Sequence, residues 1–162
     1  MDKSERESKI ELYGRGFDLL KEALAEVPQE AMLFKSEPKE WSVYEIIIHI
    51  ADSETNAALR ARKLIVEPGG AIMAYDQALW ADTLNYHAHN FEDALEVTRL
   101  ARKTTYELLK RQPEDIFTHS IVHPEYEEPY TFDKWIDVYS EHIPGHIEQI
   151  QNNMKLWKRQ NH

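Results

Sequence analysis

Between Ile10 and Val27 the apolar residues Ile10, Tyr13, Phe17, Leu20, Leu24 and Val27 recur with a 3-4-3-4-3 spacing. That rhythm is the a/d stripe of a bundle helix, because residues three and four apart share one helical face. A helix with a single apolar stripe has to bury it against other elements, which points the chain toward helix-on-helix packing. Gly14 and Gly16 weaken this helix and Pro28 stops it, so it is expected to run from Ser4 to Val27.

The next start signal is sharper. Ser42 and Glu45 have the spacing of a capping box, and Trp41 and Ile46 that of the hydrophobic staple around it. The second helix is predicted to reach Val66, before Pro68-Gly69-Gly70. Asn90 is the expected N-cap of a third helix ending near Arg111, and Thr131 that of a fourth running to Lys158. Gly69 to His89 form a long connection, which is expected to be functional or to contain a short helix, with Tyr75 to Leu84 as the candidate. Phe117 to Val122 is interrupted by polar residues and reads as a loop. The predicted fold is all-α, a four-helix bundle with a long connection between helices 2 and 3.

A length of 162 residues suits one domain spanning 1–162. The longest apolar run, Ala71 to Tyr75, has five residues, whereas a membrane-spanning helix needs about 18 or more. The N-terminal stretch is charged and has no apolar segment of the secretory type, and the chain contains no cysteine, so a cytoplasmic location is expected. With 19 basic and 29 acidic residues the net charge is −10 at pH 7, which repels phosphate backbones and argues against a nucleic-acid partner. Two basic clusters, Arg60-Ala61-Arg62-Lys63 and Arg99 to Lys103, read as solvated helix faces.

The chemically informative stretch lies in the fourth helix. Trp135, Tyr139, His142, His146, Ile150, Met154 and Trp157 line one face, so two histidines point inward one turn apart. Such a pair is either a set of hydrogen-bonded core residues or two ligands of a common ion. His49, following Ile46-Ile47-Ile48 in the second helix, is expected to face inward as well, at the edge of the buried stripe. Three neutral imidazoles from two helices would suit zinc, nickel, copper or iron, and would leave a position open for water or substrate. Glu45 and Asp52 lie four and three residues from His49 and are candidates to accept its outward N–H; Asp76 is the loop-borne candidate.

Trp41-Ser42-Val43-Tyr44-Glu45-Ile46 followed by His49-Ile50-Ala51-Asp52-Ser53-Glu54 resembles the second-helix signature of the DinB/YfiT-like superfamily. Tyr75-Asp76 with Trp80-Ala81, His123-Pro124-Glu125, and Tyr139 to Ile150 with its His142-x3-His146 follow in that family's order. The resemblance implies a four-helix bundle holding one divalent metal, zinc or nickel, through His49, His142 and His146. It also implies a homodimer acting on a small molecule, as a metal-dependent hydrolase or as a transferase that uses an external low-molecular-weight thiol. Many relatives carry a further histidine where this chain has Gly145, after Pro144. A proline there removes a backbone bond, so a bend is expected between the two histidines, tuning the ligand geometry rather than spoiling it.

The remaining histidines are weaker candidates. His87 and His89 are expected to be exposed on the long connection, His119 and His123 to lie at the surface or a pocket rim, and His162 to be a disordered terminus. No Gly-rich phosphate loop, GxSxG or HExxH is present. The chemistry therefore rests on a metal at one end of the bundle, which would lower the pKa of bound water from 15.7 toward about 7 for hydrolysis, or bind an external thiol. A non-catalytic metal-stabilised or ligand-sensing helical dimer is the alternative of another class.

Overall fold

The second helix is the best specified by its own residues. Ser42 Oγ accepts the Glu45 N–H at 3.2 Å, and the Glu45 carboxylate accepts the Ser42 N–H at 2.8 Å, so the expected capping box is formed. The computed structural model describes residues 1–161, and the expectation for His162 lies outside them. The helices are α1 (Lys3–Ala25), α2 (Val43–Val66), α3 (Gln77–Thr83), α4 (Phe91–Leu109) and α5 (Phe132–Asn161). The predicted ends are met within a few residues, because caps and prolines act locally. Asn90 accepts the Asp93 N–H at the start of α4, and Thr131 accepts the Lys134 N–H at the start of α5.

The long helices α1, α2, α4 and α5 make the bundle, with α1 packed chiefly on α5 and α2 on α4. Ile46, Ile47, Ile48 and Ile50 are all buried, so the first half of α2 is enclosed on every side rather than along one stripe. Two apolar clusters result. One gathers Ile10, Tyr13, Leu64, Phe117, Tyr130 and Trp135; the other gathers Leu20, Val43, the α2 isoleucines, Ile143 and Ile150. Between them α5 passes from Tyr139 in the first cluster to Ile143 in the second, carrying His142 across the junction.

The long connection contains the expected short helix, α3, whose first turn is capped by Asp76 accepting the Leu79 N–H at 3.0 Å. A turn at Tyr86–Ala88 follows, entered through Asn85 at φ 51°. Tyr86 is fully buried, and its hydroxyl donates to Asp52 Oδ2 at 2.7 Å, strapping the connection onto α2.

The stretch read as loop in part pairs instead. β1 (Ser120–Ile121) and β2 (Tyr130–Thr131) form an antiparallel ladder, with Ser120 opposite Thr131. Gly70 to Ile72 runs along the other side, with Val122 N–H donating to Gly70 O and Ile72 N–H to Val122 O. Gly69 leads in at φ 82°, a left-handed conformation that favours glycine. Such short strands escape a sequence periodicity, because their pairing is supplied by segments far apart in the chain. No helix among the described residues is long and apolar enough to cross a membrane.

Candidate metal centre

Three imidazoles meet where α2 passes α5. Ring centroids are 4.9 Å apart for His49 and His146, 5.4 Å for His49 and His142, and 4.6 Å for His142 and His146. One nitrogen from each lies within 4.8 Å of the others. The Nε2 atoms of His142 and His146 are 3.2 Å apart. Two nitrogens bound to one tetrahedral ion at about 2.1 Å would stand about 3.4 Å from each other. The pair therefore already has the separation of ligands to a common ion. α5 remains helical through Pro144, and the two rings on either side of it stay on one face, 4.6 Å apart.

The hydrogen bonding of the three rings is incomplete in a telling way. His49 is 0% exposed, deeper than the stripe edge expected for it, and neither of its nitrogens has a protein partner. His142 Nδ1 is likewise buried and unpartnered. A buried polar atom without a partner costs about 1–3 kcal/mol, so the His49 ring, beside the other two, marks a place where something else completes the bonding of one of its nitrogens. A divalent ion suits a set of neutral nitrogen donors.

Burial also keeps the rings in the ligand form. It pushes His49 down to about 3, helped by charge on His146, and drives His142 well below the ordinary histidine value. His146 is lowered by burial as well, against a smaller opposing effect of Gln149. His146 Nδ1–H donates to Gln149 Oε1 at 3.0 Å, which leaves the Nε2 lone pair directed at the cluster. Ser53 Oγ is 3.4 Å from His142 Nε2, and the Trp41 ring covers His49 at 4.6 Å.

The carboxylates expected to support His49 are engaged elsewhere. Glu45 is held by Ser42, by Lys35 at 3.0 Å and by His87 at 3.2 Å. Asp52 accepts from Tyr86, and Asp76 caps α3. The spacing is adequate for Glu45, but the capping box claims its carboxylate first. His87 and His89 are exposed, as expected. His119 is half-buried with Nδ1 at 2.9 Å from Leu64 O, whereas His123 is 3% exposed and so is not a surface residue.

Both basic clusters read as solvated faces contribute one buried arginine. Arg102 is 1% exposed and joins all four long helices. From α4 it donates to Tyr13 O on α1 at 2.7 Å, to Glu54 Oε1 on α2 at 2.5 Å, and to Tyr139 O on α5 at 2.7 Å. Gly16 makes this possible, since a Cβ there would meet the guanidinium at 2.8 Å. The Tyr139 carbonyl lies one turn before His142, so the network anchors the helix that carries two of the rings. The other buried arginine is Arg60, whose guanidinium donates to the Tyr139 hydroxyl at 3.0 Å. Arg102, Glu54 and Gln149 escaped the sequence reading; only the position of Gln149, three residues after His146, signalled its role.

Comparison with known proteins agrees with this architecture. A protein of Oceanobacillus iheyensis named "Putative metal-dependent hydrolase OB0782" is 27% identical over 137 residues, 85% of this chain and 78% of its own. The Bacillus subtilis protein "Putative metal-dependent hydrolase YfiT" is 24% identical over 110 residues, 68% of this chain and 62% of its own, under two thirds of that relative's length. The solved structure of YfiT, described as a probable metal-dependent hydrolase with an unusual four-helix bundle topology, superposes with a TM-score of 0.86 at 21% identity. That match covers 99% of this chain and 90% of the other. The model of the DinB superfamily matches residues 13–150, and on that span of sequence, with the bundle that it folds into, the chain belongs to the DinB superfamily.

Proposed function

We propose that this protein is a divalent-metal-dependent enzyme that hydrolyses a small molecule, with His49, His142 and His146 as the metal ligands. The observation that carries it is the convergence of three neutral imidazoles, with one nitrogen of each within 4.8 Å of the others and the buried His49 ring lacking any protein partner. Relatives bearing the name of metal-dependent hydrolase support the reaction class. When bound, a divalent ion supplies a Lewis acid with at least one position free of protein ligands.

The rest of the work falls to the chain itself. Gln149 holds the His146 proton on Nδ1 and so fixes the ring's tautomer and orientation. Trp41 and the α2 isoleucines keep water from the inner side of His49, which strengthens electrostatic interactions at that point. Arg102 holds the α5 backbone from behind. We extend the same proposal to zinc or nickel as the ion, a cytoplasmic homodimer as the working form, and a substrate other than nucleic acid, given the net charge of −10. Transfer of an external thiol is the competing reaction, since a chain without cysteine has to borrow one.

The test is metal analysis of protein purified without a histidine tag, followed by ester, amide and thiol-conjugation screens with and without chelator. One divalent ion per chain, lost in His49→Ala, His142→Ala and His146→Ala, is the expected result. Hydrolysis that disappears with chelator while the helical signal persists supports the enzyme; thiol conjugation with the same dependence selects the transferase. Unchanged metal content in all three variants would falsify the site. Unfolding on chelation with no turnover in any screen would leave a structural metal in its place.

A further inference from the structure

A fourth polar side chain stands at the three imidazoles. Ser53 follows His49 by four residues on α2, and His146 follows His142 by four on α5, so each helix presents two polar groups one turn apart. His49 stands against His146, with ring centroids 4.9 Å apart, and Ser53 Oγ stands 3.4 Å from His142 Nε2. That same Nε2 lies 3.2 Å from His146 Nε2. The cluster therefore has four corners, three of imidazole and one of hydroxyl. Ser53 is 4% exposed.

The direction of this hydroxyl sets it apart from others in the bundle. A serine or threonine inside a helix can satisfy its hydroxyl on the carbonyl four residues earlier. Thr55 does so on Ala51 O at 2.9 Å, Thr98 on Ala94 O at 2.9 Å and Thr104 on Leu100 O at 2.8 Å. Ser53 makes no such bond among the described residues and faces α5 instead. On the side of the long connection, Tyr75 packs its ring on Trp80 at 4.5 Å. Burial pushes the Tyr75 phenol up, opposed by hydrogen bonding with Ser53.

The contact between Ser53 and His142 cannot coexist with an ion on the same nitrogen. Whichever of the two groups donates, a ring nitrogen whose lone pair is given to an ion has nothing left for a hydroxyl. The Ser53 proton is then free to turn toward the centre. A neutral hydroxyl is not among the usual protein ligands of such an ion, which are imidazole, thiolate and carboxylate. Ser53 therefore stands beside the open position rather than filling it.

We propose that Ser53 is a catalytic residue of the centre, its hydroxyl donating a hydrogen bond to the atom that enters the position left open by the three histidines. The chemical class of that atom follows. It has to accept a hydrogen bond, as an oxygen of water, a carbonyl or a carboxylate does; an ammonium group cannot. The inference rests on the metal-enzyme proposal and deepens it.

The experiment uses the full chain loaded with cobalt(II), whose visible absorption reports its ligands, and azide as the anionic probe of the open position. Ser53→Ala is expected to hold cobalt as the parent does, since all three imidazoles remain, and to bind azide at least about tenfold more weakly, the effect of losing a hydrogen bond to a charged acceptor. Ser53→Thr keeps the hydroxyl and should recover most of the azide affinity. Equal azide affinity in the parent and Ser53→Ala overturns the proposal. So does a loss that Ser53→Thr fails to recover, or a Ser53→Ala protein that no longer holds cobalt, because the serine would then serve packing or the ion itself. Cobalt in the parent with no azide response overturns this proposal alone. Failure of the metal-enzyme proposal looks different: the parent itself binds no cobalt, and both fall together.

Discussion

Gln149 Oε1 accepts the Nδ1–H of His146 at 3.0 Å, three residues along the same helix. This bond decides which nitrogen of His146 is free to face His49 and His142. Outer partners of this kind typically alter metal affinity by about 10–100-fold. Gln149→Leu is therefore expected to weaken metal binding by about that factor with little change in thermal stability. Competition with a chromophoric chelator measures it. An affinity within twofold of the parent would remove Gln149 from the site.

The Arg102–Glu54 pair, with 1% and 0% of its side chains exposed, is predicted to be intolerant of half-removal. Arg102→Leu or Glu54→Leu alone leaves a buried group uncompensated and should cost about 3–5 kcal/mol in urea unfolding. Replacing both together should recover much of that loss, since the second change removes the orphan left by the first. Additive losses in the double variant would show that the two residues act separately.

Stability near the start of α2 should depend on pH through Glu45. Burial pushes its carboxyl up, but hydrogen bonds from Ser42 and Lys35 outweigh this and leave it below the ordinary carboxylate value. A lowered folded value means that the contribution is present above the unfolded value of about 4.3 and is lost as pH falls through the folded one. The stability difference between the parent and Glu45→Gln should accordingly be widest near neutrality and shrink below about pH 4. A difference that stays constant from pH 7 to pH 3 contradicts this assignment.

Tyr86→Phe removes the 2.7 Å hydrogen bond to Asp52 that straps the long connection to α2. A bond to a charged acceptor contributes about 1.5–3 kcal/mol. The loss is expected to appear locally, as faster hydrogen exchange and proteolysis between residues 75 and 90, with the α1 and α5 amides unaffected. Uniform acceleration across all helices would mean that the strap supports the whole fold.

Some features were legible because they depend on neighbours in sequence. Ser42 and Glu45 announce the start of α2 by their spacing alone, and the His142-x3-His146 step puts two rings on one face whatever surrounds the helix. His49 was legible to the same degree: its place among isoleucines forces it inward, although not how deeply. The role assigned to Glu45 failed because one of its oxygens closes the capping box and the other faces Lys35 and His87, which leaves none for His49.

What the sequence determined by itself was the set of long helices, where most of them begin and end, and that three imidazoles face the interior, because periodicity and capping act within a turn or two. Only the tertiary structure decided that Arg60 and Arg102 leave the solvated faces, that Ser120 finds Thr131, and that one nitrogen of each of the three rings comes within 4.8 Å of the others. The reason is physical. Whether a charge can be buried, or a short strand paired, depends on acceptors delivered by segments distant in the chain, and no local pattern records where those acceptors arrive.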